Sequence, residues 1–206
     1  MQAESNSRKQ VNQYDKIIKE NLEVTLPVII RDILALDVLI SEELPDDIQH
    51  TKERKPDALK KITDLSGNTY VLHVEFPLKD EKEMVYRMAE YSIMLMRKYQ
   101  LPIKQYVIFM GDTDPLMRNY LNTDHHKYDF TLIKLSEANF KVFLKSDNPE
   151  VKMLGILAKF DRDDSYSAVK SIVDGIQSTA KSDLRKADIL DNCVYLYSYA
   201  IVLNHN

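Results

Sequence analysis

Apolar residues fall first at helical spacing. Tyr14, Ile17, Ile18, Leu22 and Val24 predict a helix with Asp15 near its start. Residues 1–13 before it are polar and read as a flexible N-terminus. Pro27 suits the first turn of a second helix carrying Ile30, Ile33, Leu34 and Val38. The period then shortens. Ala58 to Leu65 and Thr69 to Phe76 read as strands joined by the turn signal Ser66-Gly67-Asn68, the second strand richer in apolar residues and so more buried. Met84, Met88, Tyr91 and Leu95 restore the helical period from Glu81 to Tyr99, with Ile93 and Met94 widening the apolar face, and Pro102 stops it. Gln105 to Met110 and Phe130 to Leu135 are further strands. A helix between strands predicts a crossover and a mixed sheet. Beyond Ser136 the pattern is helical: a short helix through Phe143, then Val151 to Phe160 capped by Asn148-Pro149-Glu150, Tyr166 to Thr179, and Leu184 to Leu203.

Composition narrows the class. A chain of 206 residues with 44 % hydrophobic content builds one core, or one core with a helical extension. Cys193 stands alone, which leaves no internal disulfide and fits a reducing compartment. No apolar run is long enough for a bilayer, and residues 1–7 lack the apolar core of a signal peptide. The expected location is cytoplasmic, with no membrane partner. A net charge of −4 disfavours general affinity for nucleic acid. Any DNA contact must be local, and Lys52, Arg54, Lys55, Lys60 and Lys61 flank Asp57. Lysines on a strand edge also serve simply to block edge-to-edge pairing.

Two carboxylates carry the candidate chemistry. Asp57 opens the first strand of the hairpin and Glu75 lies near the end of the second. A hairpin returns them to one end of the sheet. Convergent carboxylates suit a hard divalent cation such as Mg²⁺ (or Mn²⁺), which takes oxygen ligands and keeps several waters. Such an ion can activate water and neutralise phosphate charge in phosphodiester hydrolysis.

The surrounding string is specific. Pro56-Asp57, His73-Val74-Glu75-Phe76-Pro77, Arg87-Met88-Ala89-Glu90-Tyr91, Arg97-Lys98-Tyr99-Gln100-Leu101-Pro102 and Gln105-Tyr106-Val107-Ile108-Phe109-Met110-Gly111 follow in order. Together they resemble the Rpn family, the recombination-promoting nucleases also described as transposases of mobile elements, within the PD-(D/E)XK nuclease superfamily. The resemblance covers about residues 14 to 160 and is specific over 56 to 111. It implies an α/β fold with a restriction-endonuclease-like mixed sheet flanked by helices, a nuclease-like core over 14–145, and a helical C-terminal extension over 146–206. It implies a metal-dependent DNA endonuclease, a hydrolase acting in DNA recombination. Asp57 and Glu75 would be the catalytic metal ligands, with the Phe76 carbonyl as a further ligand and Glu20 (or Glu23) as an accessory acid. From their own positions rather than from the resemblance, the basic residues around Lys55 and Lys60 would hold the DNA backbone, with Arg87 and Gln105 as further candidate substrate contacts. Arg87 lies three residues from Glu90, so an ordinary ion pair on the helix is the competing reading.

One departure bears on activity. The superfamily places Lys, and this family commonly Gln, two residues after the acid; here the residue is Pro77. Proline supplies neither a side-chain donor nor a backbone N–H. Alternation along the strand makes Lys79 a substitute, if the strand runs past Pro77, and Gln105 a second one. The rival function is a catalytically silent nuclease fold used for DNA binding or protein interaction. The chain also ends after an apolar stretch, Tyr195 to Leu203, which either docks on the core or forms a homodimer contact. Other clusters fail. His125-His126 lacks partners for a zinc site. Asp161-Arg162-Asp163-Asp164 lacks the Gly and Glu of a calcium loop. Cys193 reads as a small buried hydrophobe.

Overall fold

The computed structural model describes residues 2–44, 56–111, 113–160, 165–180 and 183–203. The chain divides into two compact units, Leu36–Met110 with Asp114–Lys134, and Met1–Ala35 with Gly111–Thr113 and Leu135–Asn206.

The first unit is a mixed sheet. Its strands are β1 (Val38–Glu43), β2 (Ala58–Asp64), β3 (Thr69–Glu75), β4 (Ile103–Phe109) and, later in the chain, β7 (Thr131–Lys134). They lie in the order β1-β2-β3-β4-β7. The β1–β2 and β2–β3 pairs are antiparallel, and the β3–β4 and β4–β7 pairs are parallel. Central position explains why β3 is buried along almost its whole length. The hairpin turn forms as its residues predict. Gly67 takes φ +82°, and the Asp64 carboxylate accepts from the backbone N–H of Asn68 (2.9 Å) and Ser66 (3.0 Å). The Asn68 N–H bond is the main reason the Asp64 carboxyl sits below the usual carboxylate range.

A parallel pair needs a crossover, and α2 (Met84–Tyr99) supplies it between β3 and β4. Met84, Val85, Met88, Tyr91 and Leu95 form its buried stripe. Tyr91 and Leu95 pack with Leu59 and Val71, and Met84, Val85 and Met88 with Val107, Phe109, Met117 and Phe130. Ile93 is 62 % exposed, so the buried stripe is narrower than the sequence pattern indicates. Gln100 ends the helix in the left-handed region at φ 53°, its N–H returning to the Met96 carbonyl. A small antiparallel ribbon, β5 (Tyr120–Asn122) and β6 (Lys127–Asp129), precedes β7. The exposed His125 and His126 sit at its tip.

The second unit is helical. It contains α1 (Gln2–Val28), α3 (Lys141–Leu144), α4 (Pro149–Leu154), α5 (Ser165–Thr179) and α6 (Asp183–Leu203). Three sequence expectations change here. The helix begins at Gln2, where a flexible stretch to residue 13 was expected. Pro27 lies inside α1 instead of opening a second helix, and a widened π turn, Ile29–Ile33, follows it. The first helix clusters with the C-terminal helices rather than with a core spanning 14–145.

Asn148 caps α4 as expected, its Oδ1 accepting from Glu150 N (2.9 Å) and Val151 N (3.4 Å), with Pro149 in the first turn. All six residues of α4 are buried, so loss of the cap destabilises the middle of this unit. Asn148→Ala is expected to cost about 1 kcal/mol, read as a lower urea midpoint at unchanged slope. Within the same unit Glu150 accepts from Arg185 Nε at 2.9 Å. Cys193 is buried, and burial pushes its thiol up to about 11, in keeping with the role of a small hydrophobe. The side chains of residues 199–203, part of the segment considered for dimerisation, and the Asp161–Asp164 run lie outside what is described. No helix among the described residues is long and apolar enough to cross a membrane.

Candidate functional site

Strand register decides which side chains share a face. Ala58 pairs with Val74, so one step further sets Asp57 opposite Glu75. Cross-strand partners project to the same face. A direct bond supports the placement: the Asp57 carboxylate accepts from the Phe76 N–H at 2.9 Å. His73 lies two residues before Glu75 and pairs with Gln105 on β4, so all four share a face. This is the face against which Tyr91 and Leu95 of α2 pack, through Leu59 and Val71.

Glu75 is buried, and both of its oxygens are engaged. His73 Nε2 lies 3.0 Å from Oε1, and Arg87 Nη2 donates to Oε2 at 3.2 Å. The His73 ring is fully buried, edge-on to Tyr91 with centroids 4.8 Å apart. Gln105 Nε2 reaches both His73 Nδ1 (3.0 Å) and the Met88 carbonyl (2.9 Å). The Tyr128 hydroxyl donates to Gln105 Oε1 at 2.8 Å. Arg87 also donates to Glu81 at 2.8 Å, while its Nε is buried with no hydrogen-bond partner. A continuous network thus runs from Tyr128 on β6, through β4 and β3, to α2.

Several sequence-derived roles need correction. Lys79 is exposed at a bend, because the chain turns at Leu78 and the alternation that would aim it back at Glu75 ends there. Gln105 is buried and bonded within the protein at both ends of its amide. Lys60 pairs with Leu72 in the register, which places it on the sheet face opposite Glu75, and it forms an ion pair with Glu43. Arg87 contacts Glu75 and Glu81, not the expected Glu90, which is exposed. Glu20 belongs to the helical unit, where it is exposed and pairs with Lys16 at 3.6 Å. Lys55 lies outside the described residues.

Tyr128 and Glu81 were not legible as site residues. Glu81 precedes the first turn of α2, outside the three- and four-residue spacings that flag helix pairs. Tyr128 arrives on a ribbon of three-residue strands, too short to show a period.

Among the described residues, no group of three or more His, Cys, Asp and Glu side chains is arranged to hold a metal. A pair of carboxylates is still a sufficient protein contribution for Mg²⁺, which is commonly held by one or two carboxylates plus water and phosphate oxygens. An ionised carboxylate has about four acceptor sites, and Glu75 has one donor on each oxygen. The donor chemistry at Asp57 and Glu75 therefore fits a single hard cation, in competition with the Arg87 guanidinium. Comparison with protein-family models, with curated proteins and with solved structures finds no match.

Proposed function

We propose that the sheet unit carries a metal-dependent DNA endonuclease site of the Rpn, PD-(D/E)XK type. The observation that carries the reading is the register, which makes Asp57 and Glu75 cross-strand neighbours at one end of the β2–β3 hairpin. The coarse class supports it: the unit holds a five-stranded mixed sheet, with a helix crossing between the parallel strands β3 and β4. Ligands in open α/β sheets collect at the carboxyl ends of the parallel strands, where Glu75 lies.

In this reading Asp57 and Glu75 hold Mg²⁺, with the Phe76 carbonyl as a further ligand. The ion, when bound, supplies water activation and charge neutralisation at phosphorus. The Phe76 N–H and His73 orient the two carboxylates, as outer-shell donors do at metal sites. Arg87 is partly accessible and bonds Glu75 through Nη2 and Glu81 through Nη1, so in this reading it would meet a phosphate oxygen by releasing Glu75.

The test is nicking of supercoiled plasmid in Mg²⁺ or Mn²⁺. Wild type is expected to nick and Asp57→Ala to fall to background. An inactive wild type, or nicking that survives Asp57→Ala, sinks the enzyme reading. A second reading rests on its own observations. Pro77 offers no donor beside Glu75, and both Glu75 oxygens are already satisfied within the protein. Those facts favour a silent nuclease fold that binds DNA or a protein partner. Metal-independent DNA binding by an inactive wild type would support its DNA-binding form.

A further inference from the structure

The hydrogen-bond network has a direction, and it can be worked out from one group. A carbonyl oxygen only accepts, so the Gln105 atom 2.9 Å from the Met88 carbonyl must be the amide nitrogen. The Tyr128 hydroxyl then donates to the amide oxygen. The second Gln105 N–H faces His73 Nδ1, which must accept it. A ring that accepts at Nδ1 carries its proton on Nε2. That N–H points at Glu75 Oε1, 3.0 Å away. Reversing the chain would set the Gln105 oxygen against the Met88 carbonyl and leave an imidazole lone pair facing a carboxylate. Both contacts are repulsive in a buried site.

We propose that Gln105 and His73 are positioning residues: they transmit the polarity of the Met88 carbonyl to Glu75 and so fix the carboxylate orientation presented to a divalent cation. The β5–β6 ribbon takes part through Tyr128, although it supplies no candidate ligand. The proposal rests on the reading of Glu75 as an ion ligand, and its test separates the two.

The first measurement is the two-bond ¹H–¹⁵N correlation spectrum of metal-free, ¹⁵N-histidine-labelled full-length protein. His73 is expected as a single Nε2–H tautomer. An Nδ1–H ring overturns the proposal. Tyr128→Phe keeps its ring in the apolar cluster and is expected to retain the Nε2–H tautomer, because the Met88 carbonyl still orients the amide. Gln105→Met, of similar length but without a donor, removes the partner of His73 Nδ1 and is expected to shift the Nδ1 resonance, while the Glu75 carboxylate still holds the proton on Nε2. It should also weaken Mn²⁺ binding by about 10-fold or more, the usual consequence of losing an outer-shell partner. Unchanged Mn²⁺ affinity in folded Gln105→Met overturns the positioning role. The wild-type spectrum needs no substitution, so it still decides the relay if Gln105→Met does not fold. A wild type that binds no Mn²⁺ yet shows the Nε2–H ring counts against the ion site and supports the relay.

Discussion

Replacing Pro77 with lysine is expected to raise metal-dependent plasmid nicking by about 10²–10³-fold, the range associated with a single preorganised charge-stabilising group. The backbone there continues the ladder beside β4, since the Pro77 carbonyl accepts from Met110 N at 3.0 Å. Alternation therefore carries the face of Glu75 as far as position 77, two residues on. Pro77 is buried, so desolvation would disfavour the charge of a lysine there, while the neighbouring Glu75 carboxylate would favour it. The gain should appear in turnover at saturating DNA. Pro77→Leu, which adds a side chain without a charge, should show no gain. If Pro77→Lys folds, as read by circular dichroism, and cleaves no faster than wild type, the missing donor is not what limits the site.

Arg87→Leu is expected to lower stability by about 3 kcal/mol. Truncating one member of a buried ion pair leaves the other charge uncompensated, and this costs more than the pair contributes when intact. The Glu75 side chain is 6 % exposed and that of Arg87 19 %, so solvent screens the pair weakly. After the substitution Glu75 keeps the His73 N–H as its one contact among those described above. The lost cation also makes room for another. Mn²⁺ is expected to raise the urea midpoint of Arg87→Leu by more than that of wild type, because in wild type the ion competes with the guanidinium. At an Mn²⁺ concentration 100 times the dissociation constant the recovery would be about 2.7 kcal/mol. A variant destabilised as expected but indifferent to Mn²⁺ would mark Glu75 as a structural ion-pair partner and not an ion ligand.

The resemblance and the tertiary structure weigh differently on the basic residues. Sequence position next to Asp57 suggested that Lys60 meets DNA with the site. Parity removes it, because one residue along a strand changes the face, and Lys60 is in step with Leu72 rather than His73. Lys61 shares the face of Glu75 but is paired with Glu42 of β1 at 3.1 Å. Arg87 contacts Glu75, from a helix residue twelve positions further along the chain.

Local pattern by itself determined much of the sheet unit. The Ser66-Gly67-Asn68 turn, the burial of β3, the stripe of α2 and the parallel β4 follow from short-range periodicity and from what glycine and asparagine allow in a turn. The register that sets Asp57 opposite Glu75 was legible for the same reason, since a tight hairpin fixes its own register. β1 was not. Val38-Leu39-Ile40 is a continuous apolar run without a period, and it followed a helical pattern, so helix and strand could not be told apart until β2 offered an edge to pair with. The site network was not legible either. His73, Gln105, Arg87, Glu81 and Tyr128 come from four separate segments, and nothing in their spacing shows that the Gln105 amide joins His73 to Tyr128 or that Glu75 joins His73 to Arg87. Only the tertiary structure decided that the acid at the end of β3 is held by an imidazole and a guanidinium, because hydrogen bonds between distant segments depend on packing that no local period records.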